Sequence, residues 1–216
     1  MKIIKIKWPH PLSRLLCDYQ CHFCDMPLPS DRSIAVCTAC HHELPWHQET
    51  TGTNGEYSAF YYQPPISEYL LSGKTSGQLD KLRLLGELLA GYFSTAAIPL
   101  PEAIVPVPLH PQRLRQRGFN QSIELIRTTA NQLKLPILPQ AVQRIKQGAD
   151  QKQSTEVERQ QNIRQAFRPH NKLSYQHIAI FDDVVTTGAT SRELRQILLT
   201  HGIKKVDIWC CATTKQ

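Results

Sequence analysis

The chain has 216 residues, 41% of them hydrophobic and 20% charged, which suffices for one good core or for a core plus a small appended module. No apolar run approaches the ~20 residues that cross a bilayer. Lys2, Lys5 and Lys7, followed by Pro9 and Pro11, break up the apolar segment a cleaved leader would need, so a cytoplasmic protein is expected. The net charge of +7 is unevenly placed: residues 110–172 hold 12 Lys and Arg against 4 Asp and Glu, and the rest of the chain is close to neutral. Such a segment is either a solvated basic surface or the place where an anion binds, and charge alone does not choose between a phosphorylated small molecule and nucleic acid.

In chain order, the first signal is "CHFC" and "CTAC", which put Cys21, Cys24, Cys37 and Cys40 in two C-x-x-C pairs separated by twelve residues. Each pair can offer two thiolates from one tight turn, and two pairs complete the tetrahedral sulfur shell that zinc prefers. Four thiolates leave no open coordination position, so the expected Zn2+ is structural. A disulfide framework would need an oxidising compartment, which the N-terminus does not indicate. Cys17, His22, His41 and His42 lie nearby and are read as bystanders. The module is assigned to residues 1–50 and a main domain to residues 51–216, with the Thr-, Gly- and Asn-rich stretch 47–58 as the linker.

"AFYYQPP" reads as a short strand. The next segment contains "SGKTSG", which has the look of a phosphate-binding P-loop but places Glu68 where that loop needs glycine, and no apolar strand precedes it. The triphosphatase reading is rejected, and Lys74 is kept as a cation in a Gly-rich turn. Leu82, Leu84, Leu85, Leu88, Leu89, Tyr92 and Phe93 then follow the 3.6-residue repeat of a helix with a broad apolar face.

From there strands and helices alternate. "EAIVPVPLH" predicts a buried strand around Ala103–Val107, "FNQSIELIRTTANQL" a helix, "HIAIFDD" a strand, "SRELRQILLTHG" a helix stopped by Gly202, and "KVDIWCCAT" a strand. Cys210 and Cys211 are read as core and edge residues of that strand. The expected architecture is α/β: a parallel sheet flanked by helices, with ligands beyond the carboxyl ends of the strands. Both unusual sequences, "VPVPLHPQRLRQRGFNQ" and "DDVVTTGAT", fall at such ends.

The second of these carries the sharper chemistry. Thr186, Thr187, Gly188, Ala189 and Thr190 form a hydroxyl-rich turn before a helix whose Thr190 and Glu193 have capping-box spacing, and free amides at a helix start bind phosphate. Asp182 and Asp183, immediately upstream, cannot bind phosphate, but they can accept hydrogen bonds from a vicinal diol or help hold a divalent cation. A ribose 5-phosphate suits the loop. Receiver domains also use paired aspartates, but after their first strand, whereas this pair follows the penultimate one.

"IAIFDDVVTTGAT" resembles the phosphoribosyl-pyrophosphate motif of type I phosphoribosyltransferases. Together with "VPVPLHPQRLRQRGFNQ", the paired C-x-x-C motifs and the tract containing Gln153, Arg159, Asn162 and Phe167, nearly the whole chain resembles the ComF family of competence-protein-F-like proteins. Lys74 stands where that family has a lysine before an aromatic, with Thr75 in the aromatic's place. The resemblance implies a type I phosphoribosyltransferase-like domain that binds phosphoribosyl pyrophosphate with Mg2+. Asp182 and Asp183 would then meet the ribose hydroxyls, and residues 186–190 the 5-phosphate. Pro106, Val107 and Pro108, with Arg113, Arg115 and Arg117, would form the pyrophosphate loop.

It further implies a role in natural transformation, handling incoming single-stranded DNA alongside a competence helicase. Three functions stay open at this point: a phosphoribosyltransferase in DNA uptake, a non-catalytic DNA-binding adaptor that retains the sugar-phosphate site, and a nucleobase salvage enzyme. No residue is assigned as a catalytic group, because transfer at the anomeric carbon needs positioning and charge more than a nucleophile. Phe119 and Phe167 are the aromatics of the basic segment available for base stacking.

Overall fold

A computed structural model describes residues 19–47, 55–145, 166–170 and 173–214. Gln153, Arg159 and Asn162 lie outside the described residues, as do Cys17 and most of the expected linker. The chain divides into two compact units between Leu44 and Pro45.

In the first unit, the Cys21 N–H donates to the Met26 carbonyl at 2.9 Å and the Asp25 N–H to the Cys21 carbonyl at 2.9 Å, closing a tight turn in which Asp25 takes φ 57°. An isolated antiparallel bridge between Gln20 and Pro27 clamps its base. Helix α1 (Thr38–Glu43) follows, and its N-cap is Cys37, whose Sγ accepts from the Cys40 N–H. Both C-x-x-C pairs therefore sit on turns that aim their own amides at sulfur.

The second unit holds β1 (Glu56–Tyr61), α2 (Ile66–Thr75), α3 (Leu79–Thr95), β2 (Ala103–Pro106), α4 (Pro111–Arg117) and α5 (Gln121–Leu133). After these come β3 (Val142–Arg144), β4 (Phe167–Pro169), β5 (His177–Val185), α6 (Ala189–Thr200) and β6 (Lys205–Thr213). Four strands form one sheet in the order β1-β6-β5-β2, and every pairing in it is parallel. Its inner strands read as continuous apolar runs because both faces are covered: Ile178, Ala179, Ile180 and Phe181 of β5 are all fully buried.

On one face, Ile178 and Ile180 pack with Leu194 and Leu198 of α6 and with Val142 and Phe167 of the antiparallel ribbon β3–β4. On the other face, α3 lies against α5, and Phe93 stacks on Trp209 of β6 with ring centroids 4.3 Å apart. The predicted leucine stripe of α3 is buried throughout, with Tyr92 half-buried at its margin. Cys210 and Cys211 are both buried, and since β6 is an inner strand neither is an edge residue.

The connections diverge at one place. From β5 the chain passes through α6 to β6, on the β1 side of the sheet. From β2 it passes through α5 to Ile137, whose parallel bridge to Ile104 lies on the far side of β2. The carboxyl ends of β5 and β2 thus mark the topological switch point, where open parallel sheets form a ligand crevice.

Candidate functional site

The two strands at this crevice are held in register through their last residues. Pro106 pairs with Phe181, and the Val107 N–H donates to the Phe181 carbonyl at 2.8 Å, so Val107 and Pro108 leave the sheet directly beside Asp182. Asp182 and Asp183 lie inside β5, as the sequence suggested, but the strand runs on past them to Val185. Side chains alternate along a strand, but the two carboxyls remain close enough for Asp183 and Lys74 both to act on Asp182.

Asp183 meets Lys74, whose Nζ lies 2.6 Å from Oδ2 as an ion pair without an aligned hydrogen bond. Asp182 Oδ1 accepts from the Asp183 N–H at 2.9 Å. Burial, and then the neighbouring Asp183 carboxylate, push the Asp182 carboxyl well above the usual carboxylate range, although Lys74 and that backbone N–H pull the other way.

The turn after β5 is open. Thr186 and Thr187 are exposed, Gly188 takes φ 72° in the left-handed region, and the Ala189 N–H donates to Thr187 Oγ1 at 3.4 Å. Helix α6 starts at Ala189 with Gly188 as its N-cap and no side-chain cap. The expected capping box does not form. Thr190 is already inside the first turn, so its hydroxyl is not spent on the cap. Ser191, one residue on, is buried, and its Oγ has no protein partner.

Lys74 is in the last turn of α2 rather than in a loop, and Gly73 beside it is required by packing: a Cβ there would lie 2.5 Å from Leu82 Cδ2. The basic run after β2 is also helical. Pro111 opens α4 within its first turn, Gly118 closes it at φ 82°, and Arg113 and Arg117, four residues apart, share one face. These two arginines, Lys74, Thr75, Gly77, Gln116 and Phe119 line a cleft of about 330 Å³. Arg115 is exposed and is not among them.

Asn120 fixes the exit from this cleft. Its Oδ1 caps α5 by accepting from the Ser122 N–H at 3.0 Å, and its Nδ2 donates to the Val107 carbonyl at 3.0 Å. Gln121 Nε2 reaches the Leu70 carbonyl of α2 at 3.1 Å.

Arg144 of β3 was not singled out from the sequence. Burial, and then the charge of Arg113, lower its pKa while Asp182 raises it, and its guanidinium lies 5.5 Å from the Phe167 ring centroid. It therefore adds a cation on the Asp182 side, as Lys74 does on the Asp183 side. Phe167 is buried beneath it and is not open to a nucleobase, which leaves Phe119 of the two aromatics considered.

In the first unit, the Sγ atoms of Cys21, Cys24, Cys37 and Cys40 all lie within 4.8 Å of one another, and Cys24 and Cys37 are 3.7 Å apart. A tetrahedral zinc with Zn–S bonds of ~2.3 Å needs S···S edges of about 3.8 Å, so the donor set could hold a metal such as zinc. Burial opposes the Cys21 thiolate, but the amides of Cys37, Phe23 and Cys24 outweigh it and bring that thiol down to about 6. Cys37 N–H to Cys21 Sγ, at 3.3 Å, is one of these contacts.

No helix among the described residues is long and apolar enough to cross a membrane. No family model matches the chain. It is 34% identical over 194 residues to the DNA utilization protein YhgH of Escherichia coli K12, covering 87% of this chain and 82% of the relative. The Salmonella typhi protein of the same name is 33% identical over 193 residues, with the same coverage. Competence protein F of Haemophilus influenzae is 30% identical over 195 residues, covering 82% of this chain and 84% of the relative. Among solved structures, a purine phosphoribosyltransferase from Pyrococcus horikoshii aligns over 74% of this chain and 78% of its own, at 16% identity and a TM-score of 0.30, a likeness too slight to build on.

Proposed function

The chain belongs to the ComF family, together with competence protein F and the YhgH proteins, and from that premise we propose that its second unit binds phosphoribosyl pyrophosphate at the crevice between β5 and β2. One observation carries this reading: a carboxylate pair, an open amide-rich turn and a cationic cleft meet at the carboxyl ends of two neighbouring parallel strands. Each part suits a different portion of one molecule. Amides and hydroxyls of residues 186–190 would take the 5-phosphate. Asp182 and Asp183 would accept from the 2- and 3-hydroxyls, and Lys74, Arg113 and Arg117 would neutralise the diphosphate.

Mg2+, when bound with the ligand, would supply further charge stabilisation on the diphosphate, and the carboxylate pair fits a hard cation. The chain's own part in a transfer is to hold the anomeric carbon still and to present cations where leaving-group charge develops. The relatives are named for DNA utilization and for competence, and we carry that over to this chain as a role in natural transformation. Single-stranded DNA would meet the basic segment, with a helicase of the uptake machinery as its companion. Zinc in the first unit is proposed as structural.

Calorimetry with phosphoribosyl pyrophosphate and Mg2+ tests the site. Saturable binding is expected, weakened at least tenfold in a variant combining Asp182→Ala and Asp183→Ala. No binding by the native chain, or equal binding by both, refutes the reading. Pyrophosphate release measured over nucleobases and nucleic acids then separates a transferase, or a salvage enzyme, from an adaptor that uses the sugar phosphate as a signal. Release with no member of the panel favours the adaptor.

A further inference from the structure

Lys74 belongs to two places at once. Its ammonium is paired with Asp183 at 2.6 Å, and the same side chain lines the cleft that holds Arg113 and Arg117. The carboxylate side of that pair is well covered, at 13% exposure, while the lysine remains a third exposed. Asp183 in this arrangement is already satisfied by a cation, and a sugar hydroxyl offered to it has to compete with that pair. An anion entering the cleft changes the balance, because it offers Lys74 a second partner beside two arginines that already favour negative charge.

We propose that Lys74 is a positioning residue shared between the two half-sites: occupation of the cleft by a diphosphate draws it off Asp183 and so releases that carboxylate for the sugar. The inference rests on the sugar-phosphate reading above and adds a specificity rule to it. A ribose phosphate that lacks a diphosphate leaves the ion pair closed and binds poorly, whereas the same sugar bearing one opens the pair by its own second group. Discrimination then comes from an internal competitor rather than from added contacts. Because coupling between sites is reciprocal, each half of the ligand should strengthen the other's binding through Lys74.

The test uses the full chain and the two halves of the ligand as separate probes, inorganic pyrophosphate and ribose 5-phosphate, at one fixed Mg2+ concentration. The quantity read is the ratio of ribose 5-phosphate affinity with saturating pyrophosphate to that without it. This ratio is expected to be about tenfold larger in the native chain than in Lys74→Met. Lys74→Arg, which keeps the charge, should retain most of the coupling. Repulsion between the two anions is common to all three proteins and cancels in the comparison. Equal ratios in native chain and Lys74→Met overturn the proposal while leaving the binding site standing. Failure of the native chain to bind either probe or the intact ligand overturns both. Should Lys74→Met not fold, a crystal of the native chain soaked in pyrophosphate decides: Lys74 Nζ within ~3.2 Å of the anion and beyond ~4 Å of Asp183 supports the inference, and an unbroken Lys74–Asp183 pair refutes it.

Discussion

Glu87 and Asp182 hold their protons more tightly than exposed carboxyls do, and burial is the first cause in both. For Glu87, on α3, burial pushes the value up to about 7. A carboxyl raised in the folded state contributes its full stability below its unfolded value and loses it as pH climbs through the folded one. The window for Glu87 runs from the usual 4.5 to about 7. Glu87→Gln should therefore raise the melting temperature at pH 8 by a few degrees, about 1–2 kcal/mol after allowing for its partial exposure, and have little effect at pH 4. An equal effect at both values would show that the charge is not the cause. Asp182 shifts in the same direction, with the Asp183 carboxylate as a second cause that Glu87 lacks.

Far from the crevice, Asp207 is 2% exposed, with His177 Nε2 at 2.7 Å and Lys205 at 3.4 Å. His177→Ala removes the nearest of these two partners from a buried carboxylate and should cost about 2–3 kcal/mol, read as a fall in the urea midpoint. An unchanged midpoint would mean that the pair contributes nothing.

At the scale of elements, the turn between β5 and α6 was legible because its residue types are themselves the chemistry: two carboxylates, hydroxyls, and a glycine where φ must be positive. Less legible was the segment after β2. The sequence suggested a loop, but Pro111 and Gly118 bracket one and a half to two turns of helix, and that helix separates Arg113 and Arg117 from Arg115. Arg144 was invisible for another reason. Its approach to Asp182 depends on β3 pairing with β4 across more than twenty residues of chain, and no local pattern reports that. The capping box failed because Gly188, with no Cβ to strain, starts the helix earlier than Thr190 could.

Asn120 joins two elements by two bonds and can be dissected. Asn120→Ala removes the α5 cap and should cost about 1–2 kcal/mol. Asn120→Asp keeps an oxygen for the cap but loses the donor to the Val107 carbonyl. It should stay closer to native stability while weakening diphosphate binding severalfold. If the aspartate variant binds as well as the native chain, the bond to Val107 does not position the site.

On the scale of the whole molecule, strand–helix alternation was enough to foresee a parallel sheet, and the paired cysteines enough to foresee a cluster. Strand order was not readable, since pairing of β1 with β6 joins segments some 150 residues apart. The two units give separable expectations. A chelator should remove one zinc per chain and make the thiols of Cys21, Cys24, Cys37 and Cys40 reactive, while Cys210 and Cys211 stay shielded until the second unit unfolds. Absence of releasable metal in protein grown with zinc would refute the metal assignment.

Because β6 lies between β1 and β5, the sheet is completed from its middle by the last of its strands in chain order. A nascent chain still lacking residues 205–213 has β1 without a neighbour and β5 open along one edge, exposing backbone groups and apolar side chains to whatever else is near. Such a chain should remain protease-sensitive on the ribosome however complete its earlier helices are. Capture of the proposed ligand would begin only after that strand has paired, so the site at the ends of β5 and β2 waits on the strand that joins the two halves of the sheet.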